Sequence, residues 1–179
     1  MEKLGDVLEF VKYAHASQKR KFTNIPYTKH LEETANLLWK STNGDLPEYV
    51  YIASMLHDIC EDTEISIEEI ERLYGKDVSS LVMELTSDKK LQNKIGKEQY
   101  LINKINNMSE HAFTIKLCDR FSNVNGLSDK RIPDSFVKKY IKETQGILRN
   151  IKRTINEQQL YIIRRIKASI VFLKLTRNL

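Results

Sequence analysis

Residues that interrupt or staple a backbone are scarce in this chain: 179 positions hold six glycines, three prolines and two cysteines. So few breakers exclude collagen-like and Pro/Gly-rich disordered polymers. Two cysteines outside any spaced framework exclude a disulfide-built secreted scaffold. Cys60 and Cys118 lie inside apolar helical patterns, so both read as packing thiols in a reducing compartment. No apolar run approaches the length of a membrane span, and the opening Met1-Glu2-Lys3-Leu4-Gly5-Asp6 has no hydrophobic signal core. The expectation is a cytoplasmic protein with no membrane partner. Strand-like alternation and internal repeats are missing as well.

What is present fits a helical protein. Charged residues make up 30% and hydrophobic ones 41% of the chain, a balance suited to one domain with a core large enough to surround a pocket. The net charge of +5 suits a polyanionic ligand, although many moderately basic proteins have none.

Apolar residues recur at helical spacing almost throughout. Leu4, Val7, Leu8, Val11 and Ala14 predict a first helix running to about Arg20, broken by Phe22 to Tyr27. A second begins near Thr28, with His30 in its first turn and Ala35, Leu37, Leu38 and Trp39 on its inner side. A third starts around Pro47, where proline costs nothing, and delivers His57 and Asp58 near its end. Ser66-Ile67-Glu68-Glu69 has the form of a capping box opening a short helix that stops at Gly75. Another helix carries Val78, Leu81, Val82 and Leu85. Residues 87–97 are polar and predict a mobile loop, either a plain connection or a substrate lid. A helix from about Ala112 to Asn125 carries Lys116, Asp119, Arg120 and Asn123, and a further one follows Pro133.

From Ile151 onward a long helical pattern mixes Ile162, Ile163, Ile166, Ile170, Val171 and Leu173 with many cations and the single acid Glu157. Such a helix can bind membranes or nucleic acid, but it more often docks its apolar face on a core or a second subunit. Residues 151–179 are therefore read as a C-terminal extension of one domain spanning 1–179, packed on it or at an oligomer interface. Interleaved aromatics and a groove-reading element are missing, so nucleic acid is not an expected partner.

Met55-Leu56-His57-Asp58-Ile59-Cys60-Glu61-Asp62-Thr63 carries the chemistry. Solvated acids at a helix end would account for Glu61 and Asp62 alone. His57-Asp58, directly after the apolar run Val50 to Leu56, is harder to accommodate without a cation, because an unpaired buried carboxylate is strongly unfavourable. A divalent metal needs ligands converging from separate elements, and His30, His57, Asp58 and Asp119 offer a mixed N/O set whose two carboxylates balance a 2+ charge. Four protein ligands of an octahedral ion leave room for a water and a substrate oxygen, which suits metal-assisted hydrolysis. Glu61 lies one turn beyond His57 and can face the attacking water as a general acid/base. Asp62 either positions that group or holds a basic side chain. Asp119 and Asn123, four apart, share a helix face. Lys116 and Arg120 cannot both face the pocket, and either fits a phosphate contact or a surface ion pair.

These residues follow the His…His-Asp…Asp pattern of the HD-domain phosphohydrolases, and the text around them resembles the hydrolase domain of RelA/SpoT-type alarmone enzymes. The shared pieces, in the family's order over roughly residues 6 to 145, are Ala14-His15-Ala16-Ser17-Gln18-Lys19-Arg20-Lys21, Pro26-Tyr27-Thr28-Lys29-His30, Leu56 to Thr63, Tyr74-Gly75-Lys76-Asp77-Val78, Leu85-Thr86-Ser87-Asp88-Lys89 and Ile115 to Asn123. The resemblance implies an all-α HD-domain bundle with a metal site at its centre, in a free-standing small alarmone hydrolase. It further implies a Mn2+-dependent enzyme, other divalent metals being possible, that removes the 3′-pyrophosphate from guanosine 3′,5′-bispyrophosphate (ppGpp) or its pentaphosphate relative. By the same resemblance His30, His57, Asp58 and Asp119 hold the metal, and Glu61 and Asp62 activate and orient water. Asn123 contacts the nucleotide, Arg20 lies against the guanine with Lys21 nearby, and His15 packs. Three departures stand out: no glycine in a longer 21–26 loop, Gly126 in place of a hydroxyl residue, and Cys118 in place of alanine. The alternatives are an HD phosphohydrolase for another nucleotide or a phosphorylated dinucleotide cofactor, and a non-catalytic nucleotide-binding HD module. Homo-oligomerisation is compatible with all of them.

Overall fold

The computed structural model describes residues 2–179, with side chains from residue 5, so Leu4 in the first predicted helix lies outside the described side chains. Among the described residues the regular structure is helical, apart from one isolated antiparallel bridge between Lys19 and Pro26. The helices are α1 (Glu2–Ala14), α2 (Thr28–Thr42), α3 (Glu48–Leu56), α4 (Ile59–Asp62), α5 (Ile67–Tyr74), α6 (Lys76–Leu85), α7 (Lys89–Ile95), α8 (Lys97–Asn107), α9 (Glu110–Asn125), α10 (Asp134–Arg149) and α11 (Glu157–Arg177). Among the described residues no helix is long and apolar enough to cross a membrane.

Helix α9 is the axis of the bundle, with α2 and α11 packed along it, α3 beyond α2, and α1 and α6 against α3. Its sequence explains that place. Phe113, Ile115, Leu117, Cys118 and Val124 are buried on several sides, and a helix apolar all round belongs inside a protein. Ser109 caps its start by accepting the Ala112 N–H. In α3 every residue from Val50 to Leu56 is buried, so the helix ends with His57 already in the core. Phe113, fully buried with the Arg153 guanidinium over its ring, is an anchor whose truncation to alanine costs roughly 3–5 kcal/mol.

Five details differ from the sequence reading, each for a local reason. Helix α1 stops at Ala14 rather than near Arg20. There His15 Nδ1 engages the Gln18 side chain, Gln18 donates to the Asp62 carbonyl, and Arg20 N–H bonds Ile25 O, so residues 15–27 fold as an anchored loop. Trp39 is not an inner residue but half exposed at 49%, lying across Gly44 and the Tyr51 ring. Val171 is likewise 57% exposed. Residues 87–97 are not a loop: the Asp88 carboxylate accepts the Leu91 N–H and starts α7, and Gly96, at φ +86°, ends it before α8. Finally, α11 begins only at Glu157, where Asn156 and Gln159 form a reciprocal capping box.

Candidate metal centre and adjoining pocket

Three helices deliver the four residues predicted as ligands to one point: α2 brings His30, the α3–α4 junction brings His57 and Asp58, and α9 brings Asp119. His30 Nε2 stands 3.3 Å from His57 Nε2, 3.3 Å from Asp119 Oδ1 and 3.5 Å from Asp58 Oδ2. His57 Nε2 is 3.1 Å from Asp58 Oδ2 and 3.8 Å from Asp119 Oδ1. His30, His57 and Asp119 are buried and offer one atom each within 4.8 Å of one another. Ligands about 2.1 Å from a common ion sit about 3 Å apart at right angles, so this spacing suits a small divalent cation.

The outer hydrogen bonds fix which ring nitrogens face inward. His57 Nδ1 lies 2.7 Å from the Ser54 carbonyl, which can only accept, so Nδ1 carries the proton and Nε2 turns its lone pair to the centre. His30 Nδ1 lies 2.9 Å from Ser122 Oγ, and that hydroxyl spends its own proton on Glu33 Oε2 at 2.7 Å. Ser122 therefore accepts from His30, and His30 Nε2 also presents a lone pair. Such outer partners orient metal ligands in known sites.

The charges point the same way. Burial alone would pull His57 down, but Asp58 and Asp119 outweigh it and lift its pKa to about 10. Burial opposes ionisation of Asp58 and Asp119 too. The imidazoles nevertheless hold Asp58 well below the usual carboxylate range, and Lys116 with the imidazoles does so for Asp119. Without a metal, the cluster claims a proton as its counter-charge. Tyr27 donates to Asp58 Oδ2 at 2.6 Å, and burial with that carboxylate raises its phenol so far that it stays a donor. Asn123 Nδ2 donates to Asp119 Oδ1 at 2.5 Å, and Lys116 Nζ pairs with Oδ2 at 2.8 Å.

Glu61 and Asp62 close α4, and their own N–H groups both bond the Asp58 carbonyl. Glu61 is half buried, and its Oε1 accepts the Ser87 N–H at 2.7 Å. Asp62 is more exposed, and partial desolvation together with the Asp58 carboxylate raises its carboxyl pKa.

Beside the cluster opens a cavity of about 580 Å³, large enough for a nucleotide. Tyr27 and Asn123, bonded to Asp58 and Asp119, line it together with Phe136 and Tyr140. Arg20 lies on the α9 side of this cavity, with Nη2 3.3 Å from the Ser122 carbonyl and 3.4 Å from Asn123 Oδ1, and Nη1 3.5 Å from Glu33. Gly126 makes room for it, since a Cβ there would stand 2.5 Å from Arg20 Nη2. Lys21 sits at the rim with its ammonium over the rings of Phe22 and Phe136.

Two residues are not surface ion pairs as the sequence reading allowed. Lys116 is largely buried behind Asp119, and Arg120 turns away from the cavity to a largely buried pair with Glu143 at 2.9 Å and the face of Tyr140. Near neighbours on a buried helix have no water to face. His15 is buried beside Tyr27. Tyr27, Glu33 and Ser122 were missed as supporting residues, although spacing carried a signal: Tyr27 and Glu33 flank His30 by three positions, and Ser122 follows Asp119 by three.

An all-helical bundle that gathers two imidazoles and two carboxylates at its centre defines a class of candidate metal-dependent hydrolase. The chain belongs to the HD-domain family, whose model matches residues 7–153. It is similar to the guanosine-3′,5′-bis(diphosphate) 3′-pyrophosphohydrolase MESH1 of Drosophila melanogaster, at 31% identity over 87% of this chain and 92% of the relative. The enzyme of that name from Danio rerio is 30% identical over 92% and 95% of the two chains. A solved structure described as a metazoan ortholog of SpoT that hydrolyzes ppGpp superposes with a TM-score of 0.79 and 27% identity, covering 94% of this chain and 96% of its own.

Proposed function

We propose that this chain is a metal-dependent hydrolase that removes the 3′-pyrophosphate from ppGpp or its pentaphosphate relative, lowering the alarmone level in the stringent response. The observation that carries this reading is the convergence of two inward Nε2 lone pairs, the buried Asp119 carboxylate and the partly buried Asp58 carboxylate beside a cavity edged by Arg20 and Lys21. Relatives named for that reaction support it over most of the chain's length.

His30, His57, Asp58 and Asp119 hold the cation, proposed as Mn2+. A divalent ion there supplies a Lewis acid for phosphoryl oxygen and eases deprotonation of water. Glu61, held at one oxygen by Ser87, takes a proton from the attacking water through its other oxygen, and Asp62 helps orient that water. The water oxygen bonds to the phosphorus esterified to the ribose 3′ oxygen, the P–O3′ bond breaks, and the proton is returned to O3′ as pyrophosphate leaves. Arg20 packs its guanidinium against the base, Lys21 offers a compact charge to phosphate, and Asn123 contacts the nucleotide while fixing Asp119. Residues 1–179 act as one cytoplasmic domain. In it α11 is an extension along α9 whose outward Val171, Phe172 and Leu175 are available to a second copy.

The deciding experiment incubates purified protein with Mn2+ and a panel of guanosine and adenosine bispyrophosphates, bisphosphates and phosphorylated dinucleotide cofactors. Release of pyrophosphate from ppGpp is the expected result. Turnover confined to another substrate refutes the substrate, and metal retention without any turnover refutes the enzyme.

A further inference from the structure

Lys104 on α8 is a half-buried ammonium that the proposed chemistry does not use, yet it is aimed toward Glu61 through one peptide group. Its Nζ donates to the Thr86 carbonyl at 2.5 Å. The N–H of that same peptide unit, the Ser87 N–H, donates to Glu61 Oε1 at 2.7 Å. A single rigid peptide plane is thus clamped between a cation on its oxygen side and a carboxylate on its hydrogen side. Hydrogen bonds polarise one another in such chains, so a charge on the carbonyl oxygen strengthens the bond from the amide hydrogen.

Neighbouring bonds hold the same corner. Tyr100 Oη accepts the Asp88 N–H at 2.8 Å and lies 3.4 Å from Lys104 Nζ. Lys89 Nζ reaches the Glu61 carbonyl at 3.2 Å. The α6–α7 turn is therefore tied to α8 on one side and to α4 on the other.

We infer that Lys104 is a positioning residue for Glu61, acting through the Thr86–Ser87 peptide to set the direction and hydrogen bonding of the carboxylate that takes the proton from water. This rests on the general-base assignment made for Glu61 above. An ammonium partly withdrawn from water and facing Lys116 of α9 is costly to keep charged, and burial with Lys116 lowers its pKa to about 8. The carboxylates of Glu61, Glu84 and Asp88 oppose that shift. A cation kept at such a place despite the cost is consistent with a task there, and the carbonyl it meets among the described residues is the one behind the Glu61 bond.

The test is a double-mutant cycle with ppGpp and Mn2+ in the full chain. Lys104→Met, which keeps the stem and removes the charge, is expected to lower kcat between about ten- and a hundred-fold, the usual scale for a misplaced reacting group. KM and Mn2+ retention should stay within about two-fold. In the Glu61→Gln background the same change should cost nothing further, because the carboxylate it serves is already gone. Ser87→Pro is the second arm: Thr86 has φ −61° and ψ 131°, a conformation proline tolerates in its predecessor, so it removes the N–H with the carbonyl kept. It should reproduce the kcat loss. A slow Glu61→Gln enzyme with Lys104→Met at wild-type kcat, or with losses that multiply, overturns this inference alone. Glu61→Gln at full rate overturns the general-base assignment and this inference with it.

Discussion

Replacing Ser122 with alanine separates metal holding from folding. The hydroxyl accepts His30 Nδ1–H at 2.9 Å and donates to Glu33 at 2.7 Å. Deleting it leaves three groups without this partner, but not equally: Arg20, which donates to it at 3.4 Å, keeps the Ser122 carbonyl and Asn123. The Glu33 side chain is 37% exposed and can turn to water, whereas His30 is 1% exposed and its Nδ1–H has nowhere to go. The fold should lose roughly 1–3 kcal/mol, the ordinary cost of one buried unsatisfied donor. The metal should lose more than stability explains, because an imidazole with no acceptor at Nδ1 can move its proton to Nε2 and cover the lone pair. Outer-partner losses of this kind cost about 10–100-fold in metal affinity, about 1.4–2.7 kcal/mol. Calorimetric titration of Mn2+ into metal-free wild type and Ser122→Ala reads that change directly. Thr114→Val is the control: its hydroxyl accepts from buried Gln159 at 3.0 Å and donates to the Glu110 carbonyl, with no bond to the cluster residues, so it should destabilise without touching affinity. Equal Mn2+ affinity in Ser122→Ala and wild type would refute the tautomer argument.

Two further outcomes follow from the same geometry. In metal-free protein the His57 pKa of about 10 means that the folded state binds a proton the unfolded chain releases near 6.5. That stabilisation is fully present below pH 6.5 and is lost as pH rises through about 10. Urea unfolding with chelator should show stability falling across this window, and saturating Mn2+ should remove the slope by replacing the proton; a flat chelated profile would sink the idea. Gly126→Ala fits a backbone already at φ −63°, but the Arg20 bonds it breaks offset the gain from a stiffer unfolded chain, so stability should change by less than about 1 kcal/mol. Its Cβ displaces the Arg20 guanidinium, and KM for ppGpp should rise about five-fold, the equivalent of roughly 1 kcal/mol of lost packing on the base. Unchanged KM would remove Arg20 from the substrate contact.

The proposed ligand set was legible as a cluster because its chemistry is local: His57-Asp58 after the buried run Val50 to Leu56 is a cost visible in one dimension, and His30 and Asp119 sit on helices whose patterns are strong. The supporting residues were less legible, since Tyr27, Glu33 and Ser122 matter only through partners up to 92 positions away. Burial on α9 was also misjudged at Lys116 and Arg120, where charge suggested water but a helix apolar on most sides left none. Residues 87–97 show the opposite failure. With few apolar anchors they carry no period to read, and their helix depends on one Asp88 cap and one glycine at positive φ.

That weakly patterned stretch is where the chain places the partner of its proposed general base. Helix α7 buries none of its residues, so its own packing cannot hold Ser87 in register. What holds it is polar: the Asp88 N–H to Tyr100, and Lys104 on the Thr86 carbonyl. A strongly apolar segment at this corner would have folded without reference to Glu61. A polar one is positioned by the same bonds that orient the carboxylate, and so it leaves little trace in the hydrophobic pattern.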